Sequence, residues 1–415
     1  MTRSISAKTA CSILCAVLAT ALAGCSDSNS ARTDALGGTG VRACRWAGFA
    51  PQVTYAGAGH FLAVADFNSD GHIDVVATAW GGVENGTASV YLNQGNGTFG
   101  PPTTYNTDME AEGVAAADFS GDGKPDFAVV NDVDELDVFL NQGDGTFGPF
   151  VRHVLSEHSV VMVASDFNRD GHPDLAATQS SSIAIFLGDG HGSFSPSTTY
   201  ASGANVDSIA VSDLNGDGYP DIVVSNADFT GLCPEAACLP TGLGAGTANV
   251  FINQGDGTFA PQASYAAGTG TVSVAVGDFN SDGAPDIAAV NSVDNTLSVF
   301  FNQGDGAFAP QVTYLNTIDG FVSETAGGPC ANVVAADFDG DGHDDVAVVC
   351  SSQGQNGMLI VRTGNGDGTF RAPVTYPIVG DPGAPMVADF NGDGFPDVAV
   401  TISYDKMGVF LSDCK

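Results

Sequence analysis

"DFNSDGHID", residues 66–74, sets three aspartates and an asparagine within nine positions. Carboxylates this close repel one another, so a folded chain that keeps them together needs a compensating partner. The pattern returns as "DFSGDGKPD" (118–126), "DFNRDGHPD" (166–174), "DLNGDGYPD" (213–221), "DFNSDGAPD" (278–286), "DFDGDGHDD" (337–345) and "DFNGDGFPD" (389–397). Successive copies start 52, 48, 47, 65, 59 and 52 residues apart. A period near 50 residues marks a repeat architecture, and the two long intervals mark loop insertions.

Each repeat has one grammar. In the fifth, "SVAVGDF" (273–279) enters the acidic loop and "DIAAV" (286–290) leaves it. "LSVFFN" (297–302), the Gly-rich turn "QGDGAF" (303–308) and "APQVTY" (309–314) follow. Four short β-branched runs bounded by Gly, Asp, Asn and Pro predict an antiparallel meander. No stretch carries helical periodicity, and 54 glycines oppose long helices. Seven such meanders predict an all-β chain, a seven-bladed β-propeller of four-stranded antiparallel blades. The last run, "MGVFL" (407–411), is a third strand without a fourth, and "RWAGFAPQVTY" (45–55) is a fourth without a third. The N-terminal strand is therefore expected to complete the last blade and close the ring.

The chain has 415 residues, with 48 Asp and Glu against 12 Lys and Arg, for a formal net charge of −36. Such a surface repels phosphate backbones, which excludes nucleic acid as a partner. Hydrophobic residues make up 43 % of the chain, enough for a large core, so the charge does not signal disorder.

Arg3 and Lys8 precede the apolar "TACSILCAVLATALA" (9–23), a secretory leader too short to span a bilayer. "LAGC" (22–25) resembles the lipobox of bacterial lipoproteins, which implies cleavage before Cys25 and lipidation of its thiol. The expected organisation is a signal peptide over 1–24, the lipidated Cys25 with a polar tether over 25–43, and the propeller over 44–415. The protein is then exported, a monomer held to the cell envelope or cell surface through its lipid only. After Cys11, Cys15 and Cys25, six of the nine cysteines remain, in a compartment that permits disulfides. Six cysteines allow fifteen pairings, and position favours three bonds. Cys44 and Cys414 flank the gap where the ring closes, Cys330 and Cys350 flank the sixth acidic hairpin, and Cys233 and Cys238 sit in one insertion.

Positions 1, 3 and 5 of each acidic loop carry oxygen side chains, position 6 is Gly, and position 9 is Asp. Calcium takes six to eight oxygen ligands and tolerates irregular geometry, and a glycine at 6 permits the tight turn. The expected shell is the side chains at 1, 3, 5 and 9 with the backbone carbonyl at 7. Loop by loop these are Asp66, Asn68, Asp70, His72 and Asp74; Asp118, Ser120, Asp122, Lys124 and Asp126; then Asp166, Asn168, Asp170, His172 and Asp174. The fourth and fifth sets are Asp213, Asn215, Asp217, Tyr219 and Asp221, and Asp278, Asn280, Asp282, Ala284 and Asp286. The last two are Asp337, Asp339, Asp341, His343 and Asp345, and Asp389, Asn391, Asp393, Phe395 and Asp397. Up to seven Ca²⁺ are expected, one per blade. Ser120 should weaken the second site and Asp339 strengthen the sixth. Metal-free Asx turns are the alternative for a single loop. Asp144, Asp256, Asp305 and Asp367, in the "QGDG"-type turns, read as turn formers without a ligand.

The "DFNxDGxxD" loop, followed by a "VFLNxGDGTF" turn and repeated seven times, resembles the FG-GAP or VCBS repeat family, whose best-known relative is the integrin α-subunit propeller. "FGPP" (99–102) and "FGPF" (147–150) fit the same resemblance. It implies calcium at the hairpin between the first and second strands of each blade.

In such a blade the acidic loops and Gly-rich turns share one face. The opposite face receives the long insertions 227–248 and 315–330, and long loops on a rigid scaffold are where binding usually sits. Trp80, Phe229, Phe321 and Tyr404 are the candidate ligand-binding residues there. No nucleophile elbow, zinc-binding His-Glu helix or phosphate-cradling loop is present, so no catalytic residue is assigned. The reading is a non-enzymatic adhesion or recognition module for a carbohydrate or an extracellular protein. The alternatives are a lyase or glycosidase acting on extracellular polysaccharide, and a structural envelope protein.

Overall fold

A computed structural model describes residues 46–80, 86–155, 157–227, 245–316, 330–351 and 356–414. The leader, Cys25, the tether, Phe229, Phe321 and the cysteines Cys44, Cys233 and Cys238 lie outside the described residues. The pairings expected of Cys44–Cys414 and Cys233–Cys238 therefore fall outside them too.

Seven four-stranded antiparallel sheets follow one another, six of them formed by consecutive strands. The fifth blade runs Thr271–Gly277, Asp286–Asn291, Thr296–Phe300 and Val312–Leu315. The seventh takes its fourth strand, Val53–Ala56, from the start of the chain, with Val53 opposite Val409 and Ala56 opposite Lys406. The run 45–55 is nonetheless two strands and not one. Trp46–Phe49 pairs with Ser412–Cys414, supplying what a covalent Gly-rich turn supplies in the other blades. Phe49 lies opposite Ser412 as Phe99 lies opposite Asn93. No helix occurs among the described residues.

The core consists of seven apolar clusters in which residues of neighbouring blades meet, and the repeated aromatics explain each seam. Phe67, at position 2 of the first acidic loop, is fully buried and meets Phe147 of the second blade edge-on at 5.5 Å. Tyr105, from the first blade's fourth strand, closes the same seam at 5.6 Å from Phe147, and its hydroxyl accepts the Phe147 N–H at 3.0 Å. The triad recurs as Phe167, Phe259 and Tyr200. At the closing seam Phe390 of the seventh blade, Phe99 and Tyr55 form it. Burying such a ring contributes about 1.5–3 kcal/mol, so the phenylalanine at position 2, present in six loops and replaced by the buried Leu214 in the fourth, holds blade to blade.

A polar clasp doubles the seam. The Asn141 amide donates to Phe67 O of the preceding blade at 2.8 Å and to Pro125 O at 2.7 Å. Asn93, Asn253 and Asn302 repeat it against Phe390, Phe167 and Leu214. Where the third and sixth blades have Gly188 and Gly364 instead, a later turn glycine donates its own N–H, Gly192 to Phe119 O at 2.8 Å and Gly368 to Phe279 O at 3.1 Å. The sixth blade also carries a disulfide. Cys330 and Cys350 lie opposite each other on its first two strands, are buried, and are bonded at 2.03 Å.

Candidate functional site

All seven acidic loops are the hairpins between first and second strands. In the first, Asp66 Oδ1 and Oδ2 accept the N–H groups of Asp70 and Gly71 at 3.0 and 2.8 Å. Asn68 Oδ1 accepts the Asp70 N–H and Asp70 Oδ1 accepts the His72 N–H. These bonds curl the side chains of positions 1, 3 and 5 to one side. Gly71 takes φ 89° with open space around its Cβ direction, a backbone state that suits only glycine.

Position 9 is different in kind. Asp74 is fully buried, and its two oxygens accept backbone N–H groups from Phe67 at 2.9 Å and from Asn93 at 2.7 Å. The second of these bonds ties the acidic loop to the Gly-rich turn on the same face. It recurs in every blade, from Asn141, Gly188, Asn253, Asn302, Gly364 and Ser412 to Asp126, Asp174, Asp221, Asp286, Asp345 and Asp397. Burial outweighs these donors and pushes the carboxyls up. They reach about 7 at Asp74, Asp221, Asp286 and Asp397, about 6 at Asp126 and Asp174, and about 8 at Asp345. A desolvated carboxylate beside two or three others is short of positive charge, and the donors are all oxygen. That set fits a hard divalent cation. In the sixth loop oxygens of Asp337, Asp339 and Asp345 lie within 4.8 Å of one another.

The side chains at position 7, expected to matter only through their carbonyls, also pack. His72, Lys124, His172, Tyr219 and His343 each cover the first glycine of the adjoining turn, where a Cβ would strike them. The turn aspartates behave as turn formers. Asp144 Oδ1 accepts the Thr146 N–H at 3.0 Å, and its bonds to Thr146 hold its carboxyl below the usual range, as they do at Asp256 and Asp367 with Thr258 and Thr369.

On the opposite face ring closure brings Trp80 and Tyr404 together. Trp80 follows the first blade's second strand, Asp74–Ala79, and Tyr404 sits in the turn between Asp397–Ile402 and Lys406–Phe410 of the seventh. Their rings are 7° from parallel with centroids 6.2 Å apart. His60 stacks on both, 3.8 Å from Trp80 and 4.6 Å from Tyr404. His60 is anchored between the blades by its N–H to Thr78 O at 2.7 Å and by Thr401 Oγ1 to its carbonyl at 3.3 Å. Burial lowers its imidazole to about 4, so it is neutral, and its buried Nε2 has no hydrogen-bond partner. Ser403 and Tyr404 both take left-handed φ, 51° and 60°. Left-handed φ at two successive positions of this three-residue turn, Ser403 to Asp405, suits Gly or Asn, so placing an aromatic ring there costs conformational energy. Tyr404 is 62 % exposed and Trp80 49 %.

Beside this platform, Thr78 Oγ1 donates to Glu112 O at 2.7 Å, and the Glu112 carboxylate meets His158 Nε2 at 3.2 Å. His60, Glu112 and Asp207 occupy the same place in their blades, six residues before the acidic loop, and Asp207 lines an axial channel of about 200 Å³ walled by first strands. Asp207 is the one ionisable residue among those lining the channel. Sequence reasoning passed over His60 and Glu112. Aligning the seven repeats at that position would have found them, because the others have Val160, Val272, Ala331 and Gly383 there.

Among solved structures the chain is similar to an Agrocybe aegerita lectin that recognises non-reducing terminal N-acetylglucosamine, with 21 % identity, 77 % of this chain and 84 % of that one covered, and a TM-score of 0.51. It is also similar to the BP39L lectin of Burkholderia pseudomallei, with 16 % identity, coverage of 86 % and 99 %, and a TM-score of 0.58. Sqt1 of Saccharomyces cerevisiae matches at 9 % identity, 88 % and 99 % coverage and a TM-score of 0.52. At these identities the likeness is one of fold. No curated protein matches the sequence. The FG-GAP-like repeat model matches residues 66–129, 118–163, 166–224, 237–289, 278–348 and 337–400, and the FG-GAP repeat model matches 205–247. Those matches span most of the chain, and with seven acidic hairpins in seven closed blades this protein belongs to the FG-GAP repeat family.

Proposed function

We propose that the protein is a calcium-held recognition module that binds carbohydrate on the aromatic platform of Trp80, Tyr404 and His60. The observation that carries this reading is the platform itself: two exposed, near-parallel rings supported by a neutral imidazole, one of them held in an unfavourable left-handed turn. Flat aromatic faces suit the C–H face of a sugar ring, and the Glu112–His158 pair beside them supplies polar groups for hydroxyls. Two of the solved structures that this chain resembles are lectins, which supports the same class. Calcium would be held by positions 1, 3, 5 and 9 and the carbonyl of position 7, and it would neutralise the buried carboxylates. The hydrogen bonds that position 9 accepts then tie hairpin to turn, and the turn asparagine's amide ties that unit to the preceding blade. The module binds and does not turn over its ligand. Through Cys25 it is anchored by lipid to the cell envelope.

A glycan array probed with the purified chain in calcium tests this. Specific binding lost on Trp80→Ala and Tyr404→Ala, with both variants still folded, is the expected result. A blank array from folded, calcium-loaded protein sinks the carbohydrate reading and points to a protein ligand.

A further inference from the structure

We infer that Arg371 is a built-in competitor for the cation at the sixth acidic loop, which makes the most acidic of the seven loops a weak site. The inference rests on the calcium reading of these loops and concerns how the sites differ.

In the first six loops Oδ1 of position 5 accepts the N–H of position 7, which leaves Oδ2 for a side chain. In four loops a neutral amide holds it. Asn68, Asn168, Asn215 and Asn280 donate to Oδ2 of Asp70, Asp170, Asp217 and Asp282, each at 2.9 Å. An asparagine can rotate and offer its carbonyl oxygen instead, so the amide is exchanged for a ligand at little cost. The sixth loop has Asp339 at position 3, which cannot donate, and a guanidinium from outside the loop takes over. Arg371 bonds Asp339 Oδ2 through one terminal nitrogen at 3.0 Å and Asp341 Oδ2 through the other at 3.1 Å. Its Nε donates to Asn365 Oδ1 at 3.2 Å, which orients the fork. Arg371 follows the turn phenylalanine, where the other blades have Ala50, Gly100, Gly148, Ser195, Ala260 and Ala309. None of those side chains reaches a loop with a charge. The second loop has a smaller version of the arrangement, Lys124 Nζ against Asp122 Oδ2 at 3.0 Å.

The guanidinium carries a full charge and, unlike an asparagine amide, has no oxygen to offer in its place, and it spans two oxygens expected of the metal. A divalent cation entering there must displace it or sit beside it. For charges about 5 Å apart in a water-like dielectric, the repulsion lowers affinity roughly tenfold. The same contact compensates the sixth loop when calcium is scarce, in the blade whose first two strands the Cys330–Cys350 bond also joins. Asp339 was expected to strengthen this site; its second oxygen instead faces a resident cation.

Calcium titration of the purified chain against a chromophoric chelator tests the inference, with wild type, Arg371→Gln and Arg371→Lys compared. In Arg371→Gln one site should tighten roughly tenfold while the others keep their affinity, and Arg371→Lys should stay near wild type. Melting supplies a second readout with a change of sign: Arg371→Gln should melt below wild type in chelator and at or above it in millimolar calcium. Titrations of Arg371→Gln and wild type that superimpose, on a chain that does bind calcium, overturn the inference and leave the calcium reading intact. A chain that binds no calcium in any of the three forms overturns both.

Discussion

Replacing Asn141 by alanine should loosen the second blade from the first. The residue is 6 % exposed, and its amide makes three bonds: to Phe67 O at 2.8 Å, to Pro125 O at 2.7 Å, and from the Gly143 N–H at 2.7 Å. Alanine keeps the backbone bond from residue 141 to Asp126 and loses all three of these. A hydrogen bond contributes about 1 kcal/mol net, and a buried group left unpaired costs about 1–3 kcal/mol. Gly143 is half-buried and can turn to water, so the two carbonyls dominate. The expected loss is about 2–4 kcal/mol. Asn141→Asp should cost more than alanine, because it sets a carboxylate oxygen against two carbonyl oxygens. Gln142→Ala, at the exposed neighbour, should stay within about 0.5 kcal/mol of wild type. Urea unfolding at saturating calcium, followed by fluorescence and far-ultraviolet circular dichroism, reads all three. An Asn141→Ala midpoint indistinguishable from that of Gln142→Ala refutes the clasp.

Two further outcomes follow from the packing and from the channel. Phe67→Ala removes a fully buried ring at the first seam and should cost about 3–5 kcal/mol in the same assay. A loss under 1 kcal/mol would show that the seam does not hold the blades. Asp207 is open to water within the channel but walled by first strands, and burial raises its carboxyl to about 6. An unfolded chain titrates near 3.9. Between about pH 4 and pH 6 the folded chain therefore holds a proton that the unfolded chain has released, so stability falls as pH rises through that window. Asp207→Asn should leave the urea midpoint unchanged at pH 4 and raise it at pH 7.5; equal shifts at both pH values would contradict this.

The blade count, the all-β class and the ring closure were legible because the acidic loop is a local signal that repeats. The closing strand could be recognised because "APQVTY" occurs at both 50–55 and 309–314. What holds neighbouring blades was not legible. The partner of Asn141 is Phe67 and that of Asn253 is Phe167, each in an earlier blade, and no local pattern names so distant a contact. The position-9 aspartates looked like a last cation ligand and prove also to be buried staples to the Gly-rich turn. In the sequence Trp80 and Tyr404 read as two separate loop aromatics. Their meeting depends on closure setting the seventh blade against the first, and His60 between them carried no motif at all. Arg371 escaped notice because charge counting scores the sixth loop by its acids and ignores a cation 30 residues downstream of Asp341.

The most direct measurement is the number of calcium ions the chain retains. Native mass spectrometry from about 1 mM free calcium should find up to seven per chain, and chelation should remove them and lower the urea midpoint. With site affinities around 0.1 mM, each ion contributes about 1.4 kcal/mol by linkage. A chain that retains no calcium, and unfolds at the same urea concentration with and without chelator, would contradict the assignment of the acidic loops as cation sites.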